Sequence, residues 1–136
     1  MNDWQKRNQQ VIEDFRAHAG HVEGWSPLVL ITMKGAKTGQ ERIVPLMRVQ
    51  DGDRVLAVAS KGGSPKHPEW YNNLVANPDV TVENGHDTYP ATARILTGTE
   101  REKAFELAAK VFPPYAEYQQ KTSREIPVFA IERTAK

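Results

Sequence analysis

The run Ala57–Leu74, AVASKGGSPKHPEWYNNL, concentrates residue types that can hold a charged small molecule. A strand-like segment ends in Ser60, Lys61, Gly62 and Gly63, and a Pro68-Glu69-Trp70-Tyr71 segment then opens a helix. Paired glycines permit a tight turn and let a ligand approach backbone N–H groups closely. A second loop, KGAKTGQER over Lys34–Arg42, sets Lys34, Lys37 and Arg42 against a single carboxylate, Glu41. Cations, a hydroxyl and glycine N–H groups together suit phosphate or carboxylate, through charge-assisted hydrogen bonds. Trp70 adds a flat apolar face with one N–H donor. Tyr115 and Tyr118 stand one helical turn apart, able to pack on the fold or to line a pocket.

The elements that must position these residues are legible from periodicity. Trp4, Val11, Ile12, Phe15 and Ala19 recur at helical spacing and predict an amphipathic helix over about Asp3–His18. Pro27–Met33 is apolar and β-branched, a buried strand. Arg42–Val49 and Arg54–Ser60 flank Gln50-Asp51-Gly52-Asp53, a strong hairpin signal. Pro68–Ala76 reads as a helix. Asp79–Asn84 and Thr88–Leu96 form a second hairpin around Asn84-Gly85. Thr99 and Glu102 have capping-box spacing for a helix carrying Phe105, Ala108, Val111 and Phe112, which Pro113-Pro114 stops. Ile126–Glu132 is the last strand. Six strands, mostly hairpin-connected and not alternating with helices, predict a small antiparallel barrel with helices outside it.

In that scheme Arg42 begins one strand and Ser60 ends its hairpin partner. Antiparallel pairing would place those ends side by side, so Lys37, Arg42, Ser60 and Lys61 should converge on one rim, with Lys66 nearby. Bulk properties exclude other classes. The chain has 136 residues and a net charge of +1, which argues for one domain and against a nucleic-acid groove. It has no cysteine, so disulfides and thiol chemistry are ruled out. The four histidines show no metalloprotease spacing, and His18, His21, His67 and His86 read as surface residues. Neither a Rossmann nor a P-loop glycine pattern is present. No stretch has the apolar length of a signal or a membrane span, so a cytoplasmic protein is the expectation.

The order KGAKTGQERIVPL, VLAVASKGGSPKHPEWYNNLVANPDVTVE and FPPYAEYQQKTSREIPV resembles the deazaflavin-dependent nitroreductase family, split β-barrel reductases that use coenzyme F420. The likeness spans about residues 28–131. It implies an α+β fold, mainly β, built on a six-stranded antiparallel split barrel of the FMN-binding type. It also implies a deazaflavin cofactor with a phosphate and a glutamate tail. Lys37, Thr38, Gly39, Arg42, Val44 and Pro45 from the first motif would contact that cofactor. So would Ser60, Lys61, Gly62 and Gly63 from the second, and Pro68 and Trp70 from the third. Tyr115 and Tyr118 would border the substrate side and, with Ser60, carry the catalytic roles. The reaction implied is hydride transfer from the reduced cofactor to a quinone, an activated alkene or a nitroaromatic, by a monomer or homodimer. FMN is the alternative cofactor, because related barrels bind it, and a non-catalytic binding protein is the alternative role. Ala36 stands where relatives often carry Arg, and Phe112 where some nitroreductases carry Tyr. The first 20 residues, outside the strong match, would form a lid or touch lipid; their mixed charges favour a lid.

Overall fold

The computed structural model describes residues 3–18, 22, 27–63 and 67–134. Ala19, His21, Lys66 and the side chain of Trp4 lie outside this set. In chain order the elements are α1 (Asp3–Ala17), β1 (Leu28–Lys34), β2 (Glu41–Met47), β3 (Val49–Asp51), β4 (Arg54–Val58), a 3-10 turn (Lys61–Gly63), α2 (Glu69–Ala76), β5 (Asp79–Asn84), β6 (Asp87–Ile95), α3 (Gly98–Val111), α4 (Pro114–Gln120) and β7 (Val128–Arg133). No helix among the described residues is long and apolar enough to cross a membrane.

All strands join one antiparallel sheet in the order β2-β1-β5-β6-β7-β4-β3. The two edge strands, β2 and β3, are separated in the chain only by Arg48, so the sheet must curl until its edges meet there. The result is a barrel with a split at that seam. The strand count is therefore seven rather than the expected six. The predicted Arg42–Val49 strand bends at Arg48, whose N–H donates to the Pro27 carbonyl at 2.9 Å. Its first part pairs with β1 and its last part with β4. Around Asn84-Gly85 the predicted hairpin forms, with Asn84 opposite Asp87.

Alternation along the strands divides the core. Val29, Ile31 and Met33 of β1 point into the barrel with Val55, Ala57, Val80, Val82, Phe129 and Ile131. Leu74 of α2 is buried there too, and Trp70 and Tyr71 pack on the same cluster. Leu28 and Leu30, on the opposite face of β1, are covered by Val11 and Phe15 of α1. The Arg16 guanidinium fixes that helix with paired bonds of 2.9 and 2.8 Å to the Glu83 carboxylate. On the far side, Val49, Leu56, Val128 and Ala130 meet Ala104, Ala108 and Tyr115 of α3 and α4. β1, β4 and β7 are thus buried on both faces, which explains their nearly continuous apolar sequences.

Helix α3 starts earlier than the Thr99–Glu102 spacing predicts. Its N-cap is Thr97, without a side-chain cap bond, and Gly98 takes a positive φ of 59°. Glu102 bonds Arg101 instead of closing a capping box. Glu100, in the first turn, receives Arg94 and Arg54 and so ties the helix to the sheet. Those guanidiniums, Arg94 first, hold the Glu100 carboxyl down at about 2.

Candidate active site

The two basic loops are gathered by α2 rather than by a hairpin. Arg42 lies opposite Met33 of β1, and β4 pairs only with Val49–Asp51 of the preceding chain, so Arg42 and Ser60 do not face each other across a ladder. The physical cause is the bend at Arg48, which turns β2 away to the opposite edge of the sheet. Convergence by hairpin geometry, as read from the sequence, is therefore overturned. Helix α2 supplies a different connection. Its Asn73 side-chain oxygen accepts the Ala36 N–H at 2.9 Å, and Asn77 reaches the Lys34 carbonyl at 3.4 Å. The Lys34–Gln40 turn closes on itself through Gly35 N–H to the Gln40 carbonyl at 2.8 Å, with Gly39 at φ 72°.

The other loop is anchored at the start of α2. His67 stacks on Tyr71 with centroids 4.0 Å apart, and Tyr71 meets the Phe129 ring edge-on at 5.7 Å. Trp70 lies 6.0 Å from the same Phe129 ring. Pro68, buried, is the N-cap residue, and its fixed φ of −65° leads the chain into the helix. A helix of eight residues spans about 12 Å. Its two ends therefore hold two cation-bearing loops that are far apart in sequence.

The remaining predicted residues divide by burial. Lys37, Thr38, Gly39, Arg42 and Lys61 are exposed. Val44 and Pro45 are half-buried on β2, with Val44 packed toward the barrel cluster that holds Trp70 and Tyr71. Ser60 is 7% exposed, and its carbonyl accepts the Gly63 N–H at 3.0 Å. Gly62 lies in the 3-10 turn between Lys61 and Gly63. Gly63, at φ 83°, sits so close to α4 that a Cβ there would come within 2.8 Å of the Tyr118 carbonyl oxygen.

Arg16, Arg54, Arg94, Arg101 and Arg133 all pair with carboxylates. Lys37, Arg42 and Lys61 have no carboxylate partner among the described residues. They share that lack of an ion pair with Lys6, Arg7, Arg48, Lys103, Lys110 and Lys121 among the described residues, and differ from these in standing on the two loops tied to α2. Unneutralised cations on short loops suit a polyanionic cofactor tail. The residues present therefore fit a cofactor carrying phosphate and carboxylates beside a flat ring system.

The tyrosines differ from each other. Tyr115 is buried among Leu96, Ala108 and Ile126, with its ring 5.0 Å from Phe112 and 6.3 Å from Tyr118. Burial, with Tyr118 as a lesser cause, pushes its hydroxyl up to about 12. Tyr118 is half-buried on the same helix. In a spectrophotometric alkaline titration the last tyrosinate should appear near pH 12 and vanish in Tyr115→Phe. The linked stability is full below pH 10, the ordinary tyrosine value, and is lost as pH rises from 10 to 12. A profile unchanged by the substitution would assign the late transition elsewhere.

Two residues of the site escaped the sequence reading. His67 reads there as a surface histidine, yet its Nδ1 lies 3.3 Å from an Arg124 nitrogen and its ring stacks on Tyr71. The available signal was its i, i+4 spacing to Tyr71. Arg124 donates to the Ala59 and Ser60 carbonyls, across more than sixty residues of sequence. Burial and the Arg124 charge lower the His67 pKa.

Comparison with known proteins identifies the family and the fold. The family model described as F420H(2)-dependent quinone reductase matches residues 4–133. An F420H(2)-dependent quinone reductase of Mycobacterium tuberculosis is 40% identical over 118 residues, covering 84% of this chain and 79% of the relative. A solved F420-H2 dependent reductase, FDR-A, is 54% identical with a TM-score of 0.74, covering 82% of this chain and all of that one. A solved domain-swapped dimer is 48% identical with a TM-score of 0.76, covering 96% and 98%. HutZ, a heme storage protein from Vibrio cholerae, shares the fold at 13% identity and a TM-score of 0.60, covering 95% and 92%. The chain belongs to the F420H(2)-dependent quinone reductase family, and is an oxidoreductase that works with reduced coenzyme F420.

Proposed function

We propose that this protein passes a hydride from reduced F420 to a quinone, with the cofactor tail on Lys37, Arg42 and Lys61 and its ring beside Trp70. The observation that carries this reading is the set of exposed cations without carboxylate partners among the described residues, on loops tied to the two ends of α2. Bound there, the deazaflavin would supply a hydride donor that transfers electrons in pairs. The protein's part is orientation and charge. Lys37, Arg42 and Lys61 neutralise the tail, and the Gly39 and Gly63 turns keep side chains out of its path. Trp70 offers an apolar wall. Val44 and Pro45 of β2 border the ring. Tyr118, half-buried beside the Lys61–Gly63 turn, is the hydroxyl we assign to hydrogen-bond a quinone oxygen and pass it a proton as the hydride arrives on the ring. Tyr115, buried and neutral, supports Tyr118 by ring packing rather than by proton transfer. Similarity to a domain-swapped dimer supports a dimer for this chain as well.

The reaction is tested by following oxidation of reduced F420 with and without a soluble menaquinone analogue. Oxidation dependent on the quinone supports the reading; tight binding without oxidation makes the protein a carrier. Lys61→Ala should weaken cofactor binding by about 1.5–3 kcal/mol, the range for a charge-assisted hydrogen bond. A fluorescence titration indistinguishable from wild type removes Lys61 from the site. Tyr118→Phe should slow turnover by roughly tenfold or more while cofactor affinity stays within about twofold. Equal turnover in both proteins would move the proton donor elsewhere.

A further inference from the structure

Lys61 is the one non-glycine residue with a positive φ among the described residues, at 46°. Side chains avoid that region because the Cβ crowds the following carbonyl. A lysine kept there needs its surroundings to impose the conformation. Those surroundings are visible. The Arg124 guanidinium donates from Nη1 to the Ala59 carbonyl at 3.1 Å and from Nη2 to the Ser60 carbonyl at 2.7 Å. The same Ser60 carbonyl accepts the Gly63 N–H at 3.0 Å, so one oxygen joins the guanidinium to the turn. Arg124 also meets His67 Nδ1 at 3.3 Å, and His67 is held flat against Tyr71 of α2. The guanidinium thus grips the chain on both sides of Lys61, at residues 59–60 and at 67. The backbone carbonyl of Arg124 accepts the Gln119 side-chain amide at 2.8 Å, which links the grip to α4.

We infer that Arg124 is a positioning residue: its planar fork sets the Ser60–Gly63 turn in the left-handed form that projects Lys61 outward. Lysine at 124 keeps the charge but cannot donate to two successive carbonyls and to His67 in one plane. The consequence for the turn stands on geometry alone. The consequence for cofactor binding rests on the reading of Lys61 as an anion ligand.

The experiment uses the full chain without cofactor first. Arg124→Lys should raise hydrogen exchange at the Gly63 amide by about tenfold, with Ile131 in the core unchanged. In a Lys61→Gly background, where the left-handed conformation carries no penalty, the same substitution should change Gly63 exchange by less than about threefold. Unchanged Gly63 exchange in Arg124→Lys overturns the inference, as does an equal increase in the glycine background. Arg124→Gln, which also removes the fork, gives the same reading if the lysine variant folds poorly. Oxidised F420 is then titrated by fluorescence. Arg124→Lys should weaken binding by about tenfold in wild type and by less than about twofold in Lys61→Ala. With reduced F420 varied at a saturating quinone concentration, its KM should rise while kcat stays within about twofold. Equal weakening in both backgrounds overturns the route through Lys61. If Lys61→Ala alone binds normally, the anion-ligand reading fails, and Gly63 exchange still decides the role of Arg124.

Discussion

Arg101→Ala should destabilise the fold by about 3–4 kcal/mol, among the largest single-residue losses available outside the apolar core. Arg101 is only 4% exposed, though it lies in the first turns of α3. Its Nε and Nη2 donate to the Ile126 carbonyl at 3.3 and 2.7 Å, and Nη2 also reaches the Gln119 side-chain oxygen at 2.9 Å. The guanidinium rests 4.5 Å from the Phe105 ring centroid. Alanine would strand the Ile126 carbonyl in a fully buried setting and remove a partner of Gln119, which itself accepts the Ile126 N–H. Three elements, α3, α4 and the approach to β7, would lose their common tie. Thermal unfolding should fall by roughly 10–15 °C for a domain of this size. Glu102, also bonded to Arg101 but with a largely exposed side chain, is the control: Glu102→Ala should cost under about 1 kcal/mol. A loss below about 1.5 kcal/mol for Arg101→Ala would show that the segment before β7 holds its place by other means.

Gly63→Ala should cost about 3 kcal/mol and reduce cofactor binding by at least tenfold. Two separate penalties act at this position. A φ of 83° disfavours any side chain by about 1–2 kcal/mol. In addition, the new Cβ would lie 2.8 Å from the Tyr118 carbonyl oxygen and 3.0 Å from the Lys121 Cβ. The nearest obstacle is helix backbone, so relief requires the turn to lift off α4. Gly39→Ala separates the two penalties. It has a similar φ of 72° but nothing within 4 Å of its Cβ position, so it should cost only about 1–2 kcal/mol. Unfolding by denaturant on both variants measures the difference. Equal losses would mean that the turn and α4 are not in the contact described.

What the sequence revealed depended on how local the determining physics is. Asp51-Gly52 marks a turn by its own backbone preferences, and that turn exists, with Asp51 opposite Arg54. The strand before it was legible as a strand but not as one that changes partner. Val44 and Val49 look alike in composition, yet one pairs with Ile31 and the other with Leu56. Nothing in a local window encodes a neighbour more than ten residues away. The same limit hid Arg101 and Arg124, two of many basic residues, whose roles depend on carbonyls at Ile126 and Ser60. Thr99 and Glu102 have the right spacing for a cap, but Thr97 takes the position because Gly98 lets the chain turn earlier. By contrast, the glycine turns and the Pro68–Ala76 helix carry their conformation in their own residue types, and these were readable. Lys37, Arg42 and Lys61 were readable as basic residues on short glycine-bearing loops; the tie of those loops to α2 through Asn73 and His67 was not.

The sheet order has a consequence for how the polypeptide emerges from the ribosome. Strand β4 has two neighbours, β3 and β7, and β7 is the last strand in chain order. Until residues 128–133 have been synthesised, the β3–β4 hairpin has no further strand to pair with, so the β4 edge that β7 will take stays open even where α3 already covers Val49 and Leu56. Strands β1, β2, β5 and β6 can pair as they are made, but closure of the sheet onto β3–β4 must wait for the last strand. A nascent chain that stalls before Val128 presents an open, sticky ribbon, and recruitment of chaperones should peak at that stage of translation.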